Sequence, residues 1–386
     1  MLDRTCALRG LWLMGCLVTA DARGILLDLY RFVLAIFVVQ AHVPWEGGSG
    51  PLSQHAVFSF YVLSGFLMTL ILNETYGFGP GHFVRFWTNR FLRLYPAYFI
   101  VIAITALHIW LVSPLTQLHG TVGLPEGVYG WIANVTMFGM AGLEISLRPA
   151  INFIPNAWSL SVELFCYVLL SIYFARTRQR ALALLLIGIV ITGTQLIRVT
   201  VAAPPNYDMS NHYNVLQAGI IPFAAGSLAY FYRQSALLRF SPARLSLLLL
   251  LWAVNCALAH FFAYHQFVSG LYVAVAINVV LVPMMFGYDV ANRPARWMKV
   301  LGGISYPVFI SHILIGTLVV RYSGFLRPGM GLLLATLAAT IGFSLLVHLG
   351  VERRIETLRA AIKRRRWVSS FAWQSRSGAA PALPAE

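Results

Sequence analysis

The feature that most constrains this chain is a series of apolar stretches, each about as long as a lipid bilayer is thick. A membrane-spanning helix needs roughly 20 mostly apolar residues, and most of the stretches meet that length. The stretch at 128–142 is the exception, because it is short and contains Gly130, Gly139 and Gly142. The other stretches lie at about 25–43, 54–73, 94–113, 156–175, 181–199, 215–232, 243–263, 267–286, 304–322 and 329–350.

Composition agrees with this pattern. Of the 386 residues, 59% are hydrophobic and only 11% are charged, and the mean hydropathy is +0.73. Soluble domains carry about 45–50% apolar and about 25% charged residues. The sequence therefore excludes an ordinary soluble enzyme, a nucleic-acid-binding domain and a disordered chain. It predicts an all-α integral membrane protein with about ten transmembrane helices and a short re-entrant or interfacial segment at 128–142.

The basic residues predict the topology. The net charge is +15, from 28 Lys and Arg against 13 Asp and Glu. If the chain enters the membrane from the cytoplasm and 128–142 does not cross, most basic residues fall on the cytoplasmic side, as membrane proteins prefer. If 128–142 did cross, three basic clusters would face outwards. We therefore expect a multi-pass protein of a bacterial inner membrane with both termini cytoplasmic, and no nucleic-acid partner.

Three segments follow from this reading. Residues 1–24 form an N-terminal appendage, or follow a start codon assigned too far upstream, because their short apolar run is interrupted by Arg9. Residues 25–352 form the membrane domain, and 353–386 form a basic cytoplasmic tail. The four cysteines are scattered, so no spacing suggests a metal site or a disulfide framework.

The first predicted span carries three ionisable residues, which are costly in a membrane and usually functional. Arg31 and His42 are eleven residues apart, so they share one helix face about 16 Å apart along the axis. Asp28 lies one turn before Arg31 and could pair with it. A structural interpretation also exists, in which Arg31 only neutralises Asp28 and His42 is an interfacial histidine.

Arginines follow the second span. Arg90 and Arg93 lie one helical turn apart, and Arg85 precedes them. Guanidinium groups on the cytoplasmic face suit a phosphorylated ligand, because each can donate two parallel hydrogen bonds to phosphate oxygens. The general excess of basic residues in the cytoplasmic loops of membrane proteins explains these arginines equally well.

Further polar residues lie inside later spans. Glu163 sits in a stretch that also contains Trp158 and Ser161, and a carboxylate there needs a partner such as His, Arg or a sugar hydroxyl. A hydrogen bond to a neighbouring helix is the structural alternative. His312 lies near the middle of the predicted span 304–322, either packed against a backbone group or lining a polar tunnel.

Taken together, these motifs resemble those of the membrane-bound acyltransferase 3 family, the O-acetyltransferases that modify bacterial surface polysaccharides and related glycosides. The resemblance runs from about residue 24 to about residue 352. Arg354 stands where the family's closing motif has proline. The matching elements are Arg31 with His42, segment 60–66, Arg90 and Arg93 before Tyr95-Pro96, segment 158–163, and Ser305-Tyr306 before His312.

The resemblance implies transfer of an acyl group, usually acetyl, from acyl-coenzyme A to a hydroxyl of a carbohydrate or glycolipid. It implies no permanently bound cofactor and no metal. We expect His42 to act as general base, Glu163 or Asp28 to orient its ring, and Arg31 to stabilise the thioester oxyanion. We expect Arg85, Arg90 and Arg93 to bind coenzyme A phosphates. We expect the polar path to be lined by Asp28, Trp158, Ser161 and His312.

Two points stay open at the level of sequence. Since His42 is predicted near the outer side and the arginines near the inner side, either the pantetheine arm threads into the bundle or an acyl-histidine intermediate relays the group; we favour threading. The alternatives to an enzyme are a transporter or flippase with an intramembrane His/Glu/Arg relay, and a structural partner of a polysaccharide synthase.

Overall fold

The computed structural model describes residues 25–44, 51–112, 119–144, 147–202, 213–261, 264–291, 296–323 and 328–362. The predicted appendage 1–24 and residues 363–386 of the predicted tail lie outside the described residues. Within these ranges the regular elements are helices, and no β-strand is present. Because the bilayer core offers no water to backbone polar groups, helices that satisfy those groups internally are the expected solution.

The helices follow the predicted apolar stretches closely. Several are extended by short 3₁₀ or π turns, namely at Leu72–Tyr76, Pro155–Ala157, Leu216–Gly219 and His348–Glu352. In chain order they are α1 (Ile25–His42), α2 (Leu52–Ile71), α3 (Pro80–Leu111), α4 (Gly127–Thr136), α5 (Trp158–Ile172), α6 (Arg178–Ala202), α7 (Ile220–Phe231), α8 (Pro242–Phe261), α9 (Tyr264–Ala291), α10 (Arg296–Ser323) and α11 (Met330–Val347).

The all-α membrane fold is confirmed. Eight helical stretches among the described residues are long and apolar enough to cross a membrane. The other two predicted spans correspond to α1, which has 18 residues, and to the shorter apolar helix Leu216–Phe231. The total of about ten crossings remains a prediction.

Helix α4 is too short to cross. It has 10 residues, so it is about 15 Å long against a hydrocarbon core of about 30 Å. Its outward-facing side chains include the exposed Tyr129, Trp131 and Ile132. The sequence prediction of a re-entrant or interfacial segment at 128–142 stays a prediction, since the length excludes only a full crossing.

Helix α2 packs against α1, α7 and α9 in the interior of the bundle. Its contact with α7 is close enough to require glycine on both sides. A Cβ on Gly65 would lie 2.2 Å from the Phe223 carbonyl oxygen, and one on Gly226 would lie 2.0 Å from the Val62 carbonyl oxygen. Small residues at such crossings let helix backbones approach in a membrane. The position of α2 is therefore fixed by backbone contact.

One face of α1 is apolar and packs on α10 and α11. Ala35 and Val39 of α1 are buried in a cluster with Val308 and Leu333. Arg31 and His42 lie within about 20° of each other around α1, at the edge of this apolar face.

The end of α3 that carries the arginines is anchored by the last helical segment. The Arg359 guanidinium donates two hydrogen bonds of 3.2 Å to the Asn89 side-chain oxygen, and Asn89 donates one to the Arg359 carbonyl. His348 and Glu352 form a pair at 3.0 Å beside Gly303 of α10. These contacts hold residues 348–362 against α3 and α10.

Candidate active site

Two adjoining cavities lie between α1, α2, α3, α5 and α10. We call the first the arginine cavity, because Arg31, Arg90 and Arg93 line it. Its volume is about 90 Å³, and its wall also contains Glu163 and Tyr167. Three guanidinium groups against one lining carboxylate give this narrow cavity a positive field.

The second cavity, the histidine cavity, is lined by His42 and His119 and has a volume of about 360 Å³. Its wall comes partly from helices and partly from the loops at 119–121 and 148–156. Trp158 and Tyr213 contribute aromatic rings that meet edge to face, with 4.8 Å between their centroids. The cavity thus combines imidazole, amide and aromatic groups.

The two cavities share a wall formed by Val57, Ser159 and Phe309. Each of α2, α5 and α10 carries one of these three residues. On each helix it lies between residues that line the arginine cavity and residues that line the histidine cavity or contact His42. On α1, Arg31 lines the arginine cavity and His42 lines the histidine cavity, about 16 Å further along the helix. The helices that carry the predicted motifs therefore lead from one cavity to the other.

The His42 ring is oriented by two acceptors. Its Nδ1 lies 2.8 Å from the Val38 carbonyl oxygen and 3.3 Å from His312 Nε2. The Nδ1–H of His312 donates to the Phe309 carbonyl at 2.7 Å, so its Nε2 is an acceptor. His42 therefore carries its proton on Nδ1, and its Nε2 has a lone pair available to accept a proton.

Glu163 forms the hydrogen bond to a neighbouring helix that the sequence analysis gave as the structural alternative. The Ser64 hydroxyl donates to its Oε1 at 2.6 Å, and the Tyr167 hydroxyl donates to the same atom. These bonds hold the carboxylate on the wall of the arginine cavity. The expectation that Glu163 or Asp28 orients the His42 ring is not met in this geometry, because the ring is held by Val38 and His312. The group that supports His42 is a second histidine.

The arginines are placed unequally. Arg90 is buried, with its guanidinium 5.9 Å from the centre of the Phe86 ring, and Arg93 lies one turn further along α3. Arg31 lies 3.9 Å from Asp28, which is buried beside Gly302. Arg85 does not line the cavity; its Nε donates to the Gly81 carbonyl at 3.2 Å. Two of the three predicted phosphate-binding arginines thus reach the cavity.

Of the other polar residues predicted for the site, two lie at the histidine cavity and one does not. Trp158 lines the histidine cavity, and the fully buried His312 contacts His42 behind it. Ser161 is buried and lines neither cavity, and its hydroxyl has no hydrogen-bond partner among the described residues.

Two residues of the histidine cavity were missed by the sequence analysis. His119 accepts hydrogen bonds from the Thr121 backbone N–H and hydroxyl at its Nδ1, and its ring centroid lies 6.2 Å from that of His42. Arg148 lines the same cavity. Burial, and then the nearby Arg148 charge, lower the pKa of His119. Both residues lie in loops, where helical periodicity gives no signal.

The amino-acid sequence matches a known protein family over most of its length. A model of the acyltransferase 3 family, described as an acyltransferase domain, matches residues 25–349. This range includes every residue that lines the two cavities.

Two relatives add detail. Protein 2 in the picA locus of Rhizobium radiobacter is 30% identical over 174 residues, which cover 42% of this chain and 89% of that protein. Peptidoglycan O-acetyltransferase OatA of Listeria monocytogenes is 25% identical over 340 residues, which cover 81% of this chain and 53% of that protein. The chain therefore spans about half the length of the second relative. No solved structure matches significantly.

Proposed function

The chain belongs to the acyltransferase 3 family, and from that premise we propose that it transfers an acyl group, acetyl above all, from acyl-coenzyme A to a sugar hydroxyl. The acceptor is a cell-surface polysaccharide or a related glycoside, and the membrane is a bacterial inner membrane with both termini of the chain on the cytoplasmic side. The observation that carries this proposal is the pair of adjoining cavities, one rich in arginine and one containing a histidine with an available lone pair.

The donor occupies the arginine cavity. Coenzyme A joins its nucleotide to a flexible pantetheine arm through a diphosphate, and Arg90 and Arg93 supply guanidinium groups for that anion at the head of the arm. The cavity is narrow enough to favour the arm over the nucleotide. The thioester then reaches the shared wall at Ser159 and Phe309, which favours direct transfer over an acyl-histidine intermediate.

The acceptor occupies the histidine cavity with one hydroxyl at His42 Nε2. His42 removes the hydroxyl proton while the oxygen attacks the thioester carbonyl carbon, forming a C–O bond. The tetrahedral intermediate then expels the thiolate, which takes the proton from His42 and leaves as the free thiol of coenzyme A. His312 stabilises the transient imidazolium, because its Nε2 accepts from His42 Nδ1–H.

Arg31 supports the donor. It lines the arginine cavity on the same helix as His42 and lies 3.9 Å from Asp28. A guanidinium there stabilises the negative charge that develops on the thioester oxygen. Glu163 fixes the opposite wall through Ser64 and Tyr167.

The test uses the full chain in lipid nanodiscs with radiolabelled acetyl-coenzyme A and a mixed glycan extract. We expect label in the glycan fraction and an equal release of free thiol. His42→Gln should lower the rate of both by about 10²- to 10⁴-fold. His108→Gln is the matched control, because His108 is a helical histidine that lines neither cavity.

The outcomes separate the alternatives. Equal transfer by wild type and His42→Gln would remove His42 as the base. Thiol release without glycan label would indicate hydrolysis rather than transfer. Neither thiol release nor label, combined with movement of a glycolipid across the membrane, would favour the transporter.

A further inference from the structure

Arg148 is the one cation, other than the histidines, among the described residues that line the histidine cavity. No carboxylate lines this cavity within the described part of the chain. The Nε of Arg148 is buried without a hydrogen-bond partner, and the described residues provide no ion pair for its guanidinium. Burial lowers the pKa of Arg148, yet a guanidinium stays charged near neutral pH. Its guanidinium is partly desolvated, and an anionic ligand in the cavity would supply the counterion that the described residues do not.

A second residue of the same wall also lacks a partner. Asn156 is only 4% exposed, and its Nδ2 donates to the Phe309 carbonyl at 2.6 Å. This bond fixes the amide, and its Oδ1 is left without a partner among the described residues. Because buried polar atoms are nearly always satisfied, the free Oδ1 indicates a donor that arrives with a ligand. A sugar hydroxyl provides such a donor.

The remaining lining fits a sugar ring. Trp158 and Tyr213 present aromatic surface, and Gln54 presents an amide. The cavity volume of about 360 Å³ is of the size that small-molecule sites occupy. His42, which carries the proposed general base, lines the same cavity as Arg148.

We propose that the acceptor is an anionic saccharide, whose carboxylate or phosphate pairs with Arg148 while a hydroxyl of the same residue meets His42 Nε2 and another donates to Asn156 Oδ1. This inference rests on the proposed function and narrows its acceptor from sugars in general to acidic ones. Arg148 is a specificity residue here and takes no part in bond making or breaking.

The first test measures binding, so that it does not depend on acyl transfer. The full chain in nanodiscs is titrated with glucuronate, glucose 1-phosphate and glucose, and the midpoint of thermal unfolding is followed, since a ligand that binds only the folded state raises it. We expect a concentration-dependent rise with at least one of the two anions and none with glucose. A response to glucuronate alone identifies a carboxylate as the charged group, and a response to glucose 1-phosphate alone identifies a phosphate.

Variants assign the effect to Arg148. Arg148→Gln should weaken binding of the anion by about 10- to 100-fold, the range of a charge-assisted hydrogen bond, and Arg148→Lys should recover part of it. Arg176→Gln is the matched control, because Arg176 stacks on Phe78 away from both cavities. In the transfer assay, Arg148→Gln should raise the KM for the acidic acceptor and leave the KM for acetyl-coenzyme A unchanged.

Three results would overturn the inference: equal responses to charged and neutral sugars, no response to either anion, or full anion binding by Arg148→Gln. None of them bears on acyl transfer, which the His42→Gln assay tests separately. Conversely, loss of the transfer proposal would leave the binding results intact.

Discussion

The arginine cavity and the histidine cavity differ in how the chain builds them. Residues of the arginine cavity come from helix interiors, such as Arg31 on α1, Arg90 on α3 and Glu163 on α5. The histidine cavity adds loop residues, including His119 and Arg148. Under the proposed function, the cavity built by helices takes the phosphate-bearing donor and the cavity that includes loops takes the acceptor, and loops tolerate sequence change more readily than helices. The proposals therefore place the acyl-transfer chemistry on helix residues and the choice of acceptor on loop residues.

The largest effect is expected at His42, which the proposed mechanism places between the acyl donor and the acceptor. His42→Gln should lower the rate of acyl transfer by about 10²- to 10⁴-fold, the usual contribution of a general base, with little change in the KM for acetyl-coenzyme A. Single-turnover transfer in nanodiscs measures both. His312→Gln should give a smaller loss, because it removes only the acceptor that stabilises the imidazolium. A larger loss in His312→Gln than in His42→Gln would reverse these roles.

The donor side is tested by the arginines of α3. Arg93→Gln should raise the KM for acetyl-coenzyme A by about 10- to 100-fold, because it removes a charged hydrogen-bond donor for phosphate. Arg85→Gln provides the matched control from the same helix, since Arg85 does not line the cavity. Equal effects of the two substitutions would mean that general surface charge, rather than the cavity, attracts the donor.

The sequence predicted the helical half of this site well and the loop half poorly. Arg31 with His42, and Arg90 with Arg93, were found because a helix fixes which spacings share a face. His119 and Arg148 carry no such periodicity, and only the path of the chain brings them to His42. The sequence allowed a hydrogen bond from Glu163 to a neighbouring helix but did not identify the partner, because spacing within α5 does not show that Ser64 of α2 lies opposite. The same limit applies to the ring of His42, whose partner His312 is 270 residues away.

Both cavities depend on α2, which contributes Val57 to their shared wall. Gly226→Ala should displace this helix, since the new Cβ would lie 2.0 Å from the Val62 carbonyl oxygen. We expect a loss of about 1–3 kcal/mol in the free energy of unfolding, typical of overpacking, and reduced binding of donor and acceptor alike. Gly342→Ala is the control, because a Cβ there meets no atom within 4 Å. Loss of binding at one cavity only would show that the two do not share this support.

The smallest expected effect is on the pKa of His119, and it tests whether His119 and Arg148 share one electrostatic environment. Burial and the positive charge of Arg148 lower the pKa of His119 below its ordinary value, so the folded state binds fewer protons than the unfolded state as the pH falls through that value. Stability contributed by the neutral ring is therefore present above the unfolded pKa and decreases as the pH falls towards the folded pKa. Arg148→Gln removes the repulsion and should raise the His119 pKa towards normal, whereas Arg148→Lys should leave it lowered.

The measurement is an NMR titration of histidine-labelled protein, with the His119 signal assigned by its absence from His119→Gln. A bound acidic sugar should raise the same pKa, because its charge offsets that of Arg148, and glucose should not. If the pKa is the same in wild type and Arg148→Gln, the two side chains do not share one electrostatic environment. The histidine cavity would then consist of separate subsites, and the assignment of acceptor specificity to its loops would fail at Arg148.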